Sequence, residues 1–241
     1  MSTLLLRLAA PMQAWGAEAK FDRRTTQREP TKSGVTGLVA AALGRKRDES
    51  IDDIAALRFG VRADKPGVLL RDYHTAKSDK SAYVTNRYYL ADAVFVAGLE
   101  GDDELLEKID AALQRPMYPL FLGRRSCPPS GRVSLGIRRL LTVEQALESE
   151  PLQSQLSRIS TGNSQKLRVV CESAAGEQGM YFVRDVPISF NQEHRMFGFR
   201  WANEYEVSSP KAPIPAARTL PKYMPMPPPN LLTIAKLSIL R

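Results

Sequence analysis

Residues 31–44 read TKSGVTGLVAAALG, and this stretch decides how the surrounding chain folds. Its apolar residues recur at intervals of three and four, the pattern of a helix with one buried face: Val35, Leu38, Val39, Ala42 and Leu43. Thr31 or Ser33 can cap the start of this helix, and Gly44 can end it. The stretch therefore predicts an amphipathic helix that needs an apolar surface to pack against.

The segments around this helix predict the rest of a mixed α+β domain. A short run of Leu and Arg at Thr3–Ala9, bounded by Pro11, suits a buried strand. The later segments are a turn or short helix running into a strand at 54–61, a β-like run at 91–99, a helix capped by Asp102 or Asp103, and a short strand at 118–122. Strand, helix, strand, strand, helix, strand is the ferredoxin-like order, and it predicts such a domain over residues 1–140.

Polar, aromatic and basic residues interleave between 68 and 90. Arg71–Thr75 and Tyr83–Tyr89 suit the two arms of a hairpin with a polar tip at Ala76–Ser81. Aromatic rings mixed with cations are typical of surfaces that bind single-stranded RNA. The candidate contacts are Tyr73, His74 and Arg87. The alternative is a half-buried hairpin whose tyrosines pack on the core.

The region from 141 to 206 is predicted to be β-rich and partly irregular. Thr142 and Gln145 form a capping box for a short helix up to Glu148. Leu167–Cys171 and Met180–Phe190 are predicted to pair as strands around a turn at 174–179.

The last residues, 207–241, change in character. Eight prolines fall between Pro210 and Pro229, which predicts an extended or disordered tail. The apolar run Leu231–Leu240 can add a strand to the core or to a neighbouring subunit.

The charge balance points towards a polyanion. The 241 residues include 34 Lys and Arg against 26 Asp and Glu, which gives a net charge of +8. A basic protein gains affinity for nucleic acid by releasing its counterions. A solvated basic surface is the alternative that charge alone leaves open.

The reactive residue types do not cluster. The two cysteines, Cys127 and Cys171, and the two histidines, His74 and His194, are far apart, so we expect no metal site and no cofactor. The cysteines are expected to be free thiols in a reducing cytoplasm. No apolar run approaches the roughly 18 to 20 residues that span a bilayer, and the start of the chain lacks the basic region of a signal peptide. We therefore expect a cytoplasmic protein with no membrane partner.

Three groups of residues offer donors for phosphates. The loop between Pro11 and Pro30 contributes Gln13, Trp15, Arg23 and Arg24, of which Trp15 suits either a stacking platform or a buried core position. The predicted helix start offers backbone N–H groups with Thr31, Lys32 and Ser33, although the order of a P-loop is absent. The loop 123–131 offers Arg124, Arg125 and Ser126, of which the two arginines suit either phosphate contacts or a surface basic pair with one arginine bonded to local carbonyls.

Catalysis has little support in the sequence. His74 with Tyr73 and Lys77 could act as a metal-independent ribonuclease, but a lone histidine is more often structural. We predict no catalytic residue and no metal-binding residue.

Five of these segments together resemble a known family. They are Leu4–Gly16, Pro30–Gly34, Arg71–Thr75, Arg87–Ala93 and Leu122–Pro128. Each is weak alone, but their order over about the first 140 residues resembles the CasD group of the Cas-five family (RAMP superfamily), subunits of type I-E CRISPR Cascade complexes. After Leu141 the match fades, and the proline-rich tail departs from the family pattern.

The resemblance implies a ferredoxin-like RAMP body with a projecting β-hairpin thumb at about 71–90. It implies a non-catalytic subunit that caps the 5′ handle of the CRISPR RNA and contacts the large subunit CasA and the backbone subunit CasC, with target DNA as an indirect partner. A related type I-C branch cleaves precursor RNA, so a metal-independent endoribonuclease is the alternative. A generic RNA-binding module outside CRISPR is a third interpretation.

Overall fold

A computed structural model describes residues 1–16, 19–20, 23–77, 81–154, 166–174 and 179–209. All of them lie in one compact unit, Met1–Lys211. The strands in this part of the chain are β1 (Ser2–Ala9), β2 (Met12–Gln13), β3 (Ala19–Lys20), β4 (Arg23–Arg24), β5 (Arg58–Lys65), β6 (Val68–Lys77), β7 (Ala82–Ala91), β8 (Val94–Gly101), β9 (Ser134–Arg138), β10 (Lys166–Glu172), β11 (Tyr181–Ser189) and β12 (Met196–Ser208). The helices are α1 (Lys32–Ala42), α2 (Asp52–Ala55), α3 (Asp103–Gln114) and α4 (Val143–Ser149).

The larger sheet confirms the predicted α+β, ferredoxin-like fold. Its strand order is β11-β12-β10-β5-β8-β1-β9, and every pairing in it is antiparallel. The chain runs β1, α1, β5, β8, α3, β9, so the middle of the sheet has its first strand between its third and its fourth. This is the arrangement of the ferredoxin-like motif.

Helices cover both faces of this sheet. Leu4, Leu6 and Leu8 of β1 belong to the core cluster that includes residues of α1 and α3. Leu5 points the other way, into a smaller cluster with Val143 of α4. A strand whose side chains are apolar on both faces is expected when the sheet lies between two helical layers, and each buried leucine stabilises the fold by about 1.5–3 kcal/mol.

The predicted helix ends are confirmed. The Thr31 hydroxyl accepts a hydrogen bond from the Gly34 N–H at 3.2 Å, and Asp102 caps α3 through the N–H groups of Glu104 and Leu105. Thr142 and Gln145 form the expected capping box. Gly44 follows α1 with a φ of +79°, a conformation that glycine adopts without strain.

The prediction of a strand at 118–122 is wrong, and β9 takes the fourth ferredoxin position instead. The N–H groups of Met117 and Tyr118 donate to the carbonyls of Ala42 and Ala41, at 3.0 and 3.2 Å. These bonds satisfy carbonyls at the end of α1. The segment therefore closes a helix rather than extending the sheet, and Pro119 also lacks the N–H that a ladder needs.

The predicted direct pairing of the two C-terminal strands is also wrong. β10 pairs with β12 and β5, while β11 pairs only with β12 among the described strands. β12 therefore lies between them. Because β10 hydrogen-bonds to β5, one continuous sheet crosses the predicted boundary at residue 140. The tail from 210 onwards lies outside the described residues.

A second sheet carries the predicted hairpin. β6 and β7 pair from Val68–Ala91 to Lys77–Ala82, which confirms a hairpin longer than expected. The other edge of β7 pairs antiparallel with β2 and parallel with β4. Residues 78–80 of the predicted tip lie outside the described part. No helix in the described ranges is long and apolar enough to cross a membrane.

Candidate nucleic-acid interface

A tight loop after Leu122 is docked on the chain segment that follows β1. The Leu122 carbonyl accepts from the Ala14 N–H at 3.2 Å, and the Leu122 N–H donates to the Cys127 carbonyl at 2.8 Å. Gly123 has a φ of +82°, and a Cβ at this position would lie 1.6 Å from the Ala14 carbonyl oxygen. Only glycine permits this approach, so the loop holds Arg124 in a fixed place.

Arg124 connects this loop to the second sheet. Its guanidinium carbon lies 4.4 Å from the centroid of the Tyr89 ring in β7, and its Nη2 donates to the Arg24 carbonyl at 2.9 Å. Tyr89 is 5% exposed, so the ring provides a rigid base for the cation. The Nη1 atom of Arg124 is buried and has no hydrogen-bond partner among the described residues.

Arg87 lies on the same strand, two residues before Tyr89. Arg24 is its register partner in the parallel β4–β7 pairing, so the backbone brings the two arginines side by side. Arg87 and Tyr89 share a face of the strand because side chains alternate. The Arg87 Nε is also buried without a partner in the described part of the chain. We call Arg24, Arg87, Tyr89 and Arg124 the arginine cluster.

Unpartnered guanidinium nitrogens in this cluster point to an anionic ligand. A buried donor without a partner costs about 1–3 kcal/mol, so such groups usually have a ligand or a water. Guanidinium donors match phosphate oxygens in a bidentate geometry. The cluster therefore has the chemistry to bind the backbone of a nucleic acid.

The hairpin residues predicted as RNA contacts lie on opposite faces. Tyr73 is 63% exposed and pairs in register with Asn86, whereas His74 pairs with Thr85. By alternation, His74 shares a face with Arg87 and Tyr73 does not. Tyr73 and His74 therefore cannot converge on one bound group.

Gln13 and Trp15 do not belong to an accessible surface, which corrects their prediction as RNA contacts. Both are at most 1% exposed. The Gln13 Nε2 donates to the carbonyls of Leu8 and Ala93, at 3.1 and 2.7 Å, and its Oε1 accepts from the Trp15 Nε1 at 3.0 Å. Their polar atoms are satisfied inside the protein, so the pair supports the docked loop instead.

The start of α1 is likewise occupied, which corrects the prediction of a phosphate site there. The Lys32 side chain is 4% exposed, and its Nζ lies 2.9 Å from a Glu172 carboxylate oxygen. The Lys32 N–H donates to Asp185 at 2.8 Å. The anion that a helix start favours is thus an internal carboxylate. Thr31 and Ser33 are also buried here and lie 3.4 Å apart through their hydroxyls.

The remaining predicted contacts are exposed or lie outside the described side chains. Arg24, Arg125 and Ser126 are exposed, whereas the Arg23 side chain lies outside the described set. Cys127 is 1% exposed, and burial raises the pKa of its thiol, so it is not a ready nucleophile. No group of His, Cys, Asp and Glu in the described ranges could hold a metal ion.

Sequence reasoning missed Tyr89 as the partner of Arg124. It placed Tyr89 within the hairpin, but the 4.4 Å contact joins residues 35 positions apart in the chain. The available signal was the glycine before Arg124, which indicated a close backbone approach without showing to what.

Comparisons with known proteins agree with the resemblance. Residues 3–203 match the family model described as CRISPR-associated protein (Cas_Cas5). Over 169 residues the chain is 36% identical to the CRISPR system Cascade subunit CasD of Escherichia coli strain K12, covering 61% of this chain and 75% of that protein.

Two solved structures are similar in fold as well as in sequence. A chain of a CRISPR RNA-guided surveillance complex matches with a TM-score of 0.72 and 31% identity, over 87% of this chain and 91% of that one. A protein described as a Cas protein matches with a TM-score of 0.68 and 40% identity, over 86% and 97% of the two chains. Together these matches confirm the resemblance seen in the sequence.

Proposed function

The chain belongs to the CRISPR-associated Cas5 family, and from this we propose that it is a non-catalytic, RNA-binding subunit of a Cascade-type surveillance complex. In this role it holds the 5′ handle of the CRISPR RNA. The names of the CasD relative and of the surveillance-complex chain support membership of such an assembly. The net charge of +8 supports a nucleic-acid partner.

The arginine cluster is the observation that carries the proposal. Among the described residues, Arg87 Nε and Arg124 Nη1 are buried donors without partners, and the Arg124 guanidinium lies over the Tyr89 ring. Donors held in place lose little conformational entropy when a ligand binds. A phosphate of the handle bound between Arg87 and Arg124 would satisfy both atoms, with Arg24 and Arg125 at the exposed rim.

The hairpin supplies the contact to the rest of the complex. Val68 and Leu70 share one face of β6 and are 71% and 43% exposed, and neighbouring exposed apolar side chains of this kind suit a protein interface. We assign this surface to the backbone subunit CasC, and the loops beside the arginine cluster to the large subunit CasA. Target DNA is an indirect partner, and the complex works in the cytoplasm in antiviral defence.

The test is RNA affinity as a function of salt. The double variant Arg87→Ala/Arg124→Ala should weaken binding of handle RNA at least tenfold and reduce the salt slope by about 0.7 for each lost phosphate contact. The matched control, Lys108→Ala/Arg139→Ala, removes the same charge from exposed ion pairs on and beside α3. An equal effect of both double variants would show that only net charge matters and would refute the site.

A further inference from the structure

A second group of aromatic residues lies exposed at the far end of the larger sheet. The rings of Phe182 and Trp201 stack with centroids 3.5 Å apart and planes at 28°, and Phe199 meets Phe182 edge-on at 6.2 Å. Phe182 is 61% exposed and Phe199 is 64% exposed. We call Phe182, Arg184, Phe199 and Trp201 the β11–β12 patch.

The sheet holds these rings away from the core. Phe182 and Trp201 are register partners, while the alternate residues Arg200 and Ala202 are 7% and 0% exposed. Side chains alternate along a strand, so the patch occupies the opposite face. That face carries the smaller core cluster, against which Tyr205 and Val207 of β12 pack, but Phe182 and Phe199 remain mostly exposed, so burial does not explain why large rings stand at these positions.

The charges around the rings favour an anionic partner. The Arg184 guanidinium carbon lies 5.8 Å from the Phe199 centroid, and that of Arg195 lies 5.0 Å from the Phe197 centroid. The carboxylates of β10, β11 and β12 are instead all neutralised by ion pairs: Glu172 with Lys32, Asp185 with Arg200, Glu204 with Arg168, and Glu206 with Lys166. In the connecting turn, Glu193 is the one acidic residue beside Arg195.

We propose that the β11–β12 patch is a second binding surface for single-stranded nucleic acid. Bases stack on the open faces of Phe182 and Phe199, and Arg184 contacts the adjoining phosphate. Rings already fixed against each other lose little entropy on binding, which suits a sequence-tolerant stacking platform. This surface is separate from the arginine cluster and does not depend on the handle assignment.

The experiment measures binding of the full chain to 12-nucleotide oligo(U) and oligo(dT) by fluorescence anisotropy. Phe182→Ala/Phe199→Ala should weaken binding about tenfold or more with an unchanged salt slope, because stacking rather than charge is lost. Phe182→Leu/Phe199→Leu, which keeps apolar side chains without rings, should weaken it similarly. Arg184→Ala should reduce the salt slope by about 0.7.

The control removes exposed apolar side chains elsewhere. Met117 is 71% exposed and Leu140 is 85% exposed, and Met117→Ala/Leu140→Ala should bind as the unmodified chain does. The phenylalanine variants are also made in the Arg87→Ala/Arg124→Ala background, where the same fold-change should persist. Loss with oligo(U), with oligo(dT) or with both supports the proposal and identifies the strand as RNA, DNA or either.

Unchanged affinity of the phenylalanine variants for both oligonucleotides would overturn the proposal. If these variants also lost the co-purifying complex subunits, the patch would be a protein interface instead. This result leaves the arginine cluster untouched, so failure here is distinguishable from failure of the proposed function.

Discussion

The Nζ atom of Lys32 lies 2.9 Å from a carboxylate oxygen of Glu172, although the two residues are 140 positions apart in the chain. The same carboxylate accepts from the Phe59 N–H at 3.1 Å, so the pair joins the start of α1 to β5 and β10. Lys32 is thereby part of the scaffold rather than of a surface that meets RNA.

Lys32→Met should lower the free energy of unfolding by about 2 kcal/mol, because it leaves the partly buried Glu172 carboxylate without its cation. RNA affinity of the folded variant, and its salt slope, should match those of the unmodified chain. Chemical denaturation and salt-dependent binding measure the two effects. Lys108→Met, on an exposed pair, is the control and should cost less than 1 kcal/mol. A reduced salt slope without loss of stability would return Lys32 to the RNA interface.

Gly123→Ala should disrupt the loop that positions Arg124. A Cβ there would lie 1.6 Å from the Ala14 carbonyl oxygen, so the loop must move away. We expect a lower melting temperature together with weaker handle-RNA binding. Gly131→Ala is a matched control, because its φ of +81° is nearly the same but the nearest atom to its Cβ is 3.9 Å away. The control carries only the backbone strain of about 1–2 kcal/mol. Equal losses in both variants would show that conformation, and not the contact with Ala14, matters at Gly123.

Local patterns in the sequence predicted local structure well. The apolar spacing of 31–44 gave α1, the Thr142–Gln145 capping box gave α4, and the interleaved residues of 68–90 gave the hairpin. Each of these depends on residues that are close together in the chain, at most 23 positions apart in the hairpin. Their physical causes, capping and face alternation, act over that same range.

Long-range partners were not accessible from the sequence. The donors at 31–34 suggest an external anion until Asp185 and Glu172 are known to supply one from the larger sheet. The position of β12 between β10 and β11 was also not accessible from the sequence. One of the buried positions of β12 is occupied by Arg200, so the strand does not show a regular alternation of apolar and polar residues. A charged residue at a core position hides the strand pattern unless its partner, Asp185, is also known.

The Cys171 thiol should make stability fall in mildly alkaline solution. Burial raises its pKa to about 12 in the folded protein, whereas the pKa of a thiol in the unfolded chain is about 8.5. Between these values the unfolded state loses the proton and the folded state keeps it, so the free energy of unfolding decreases as pH rises. The limiting slope is about 1.4 kcal/mol per pH unit for one group.

Between pH 7.5 and pH 10, the free energy of unfolding should therefore decrease by about 1–2 kcal/mol less in Cys171→Ala than in the unmodified chain. Chemical denaturation at the two pH values measures this difference. The lower end of that interval keeps the thiol protonated in both states and serves as the reference. Native Cys171 should also resist alkylation at pH 8, since only the thiolate reacts. An identical pH dependence with and without the thiol would contradict this account of the buried group.

Incubation of the full chain with repeat RNA in EDTA should give no specific cleavage. General acid–base catalysis requires groups that converge on one scissile phosphate. Tyr73 and His74 are neighbours on β6, so their side chains point to opposite faces, and Lys77 is on the face of Tyr73.

His74 does share a face with Arg87, which makes His74→Ala the variant to examine, with Tyr73→Phe as its control. His74→Ala should leave the RNA intact and change affinity by no more than a few-fold, because the phosphate donors remain. Specific cleavage by the unmodified chain that His74→Ala abolishes and Tyr73→Phe retains would establish the endoribonuclease alternative, with Arg87 and Arg124 then stabilising charge on the reacting phosphate.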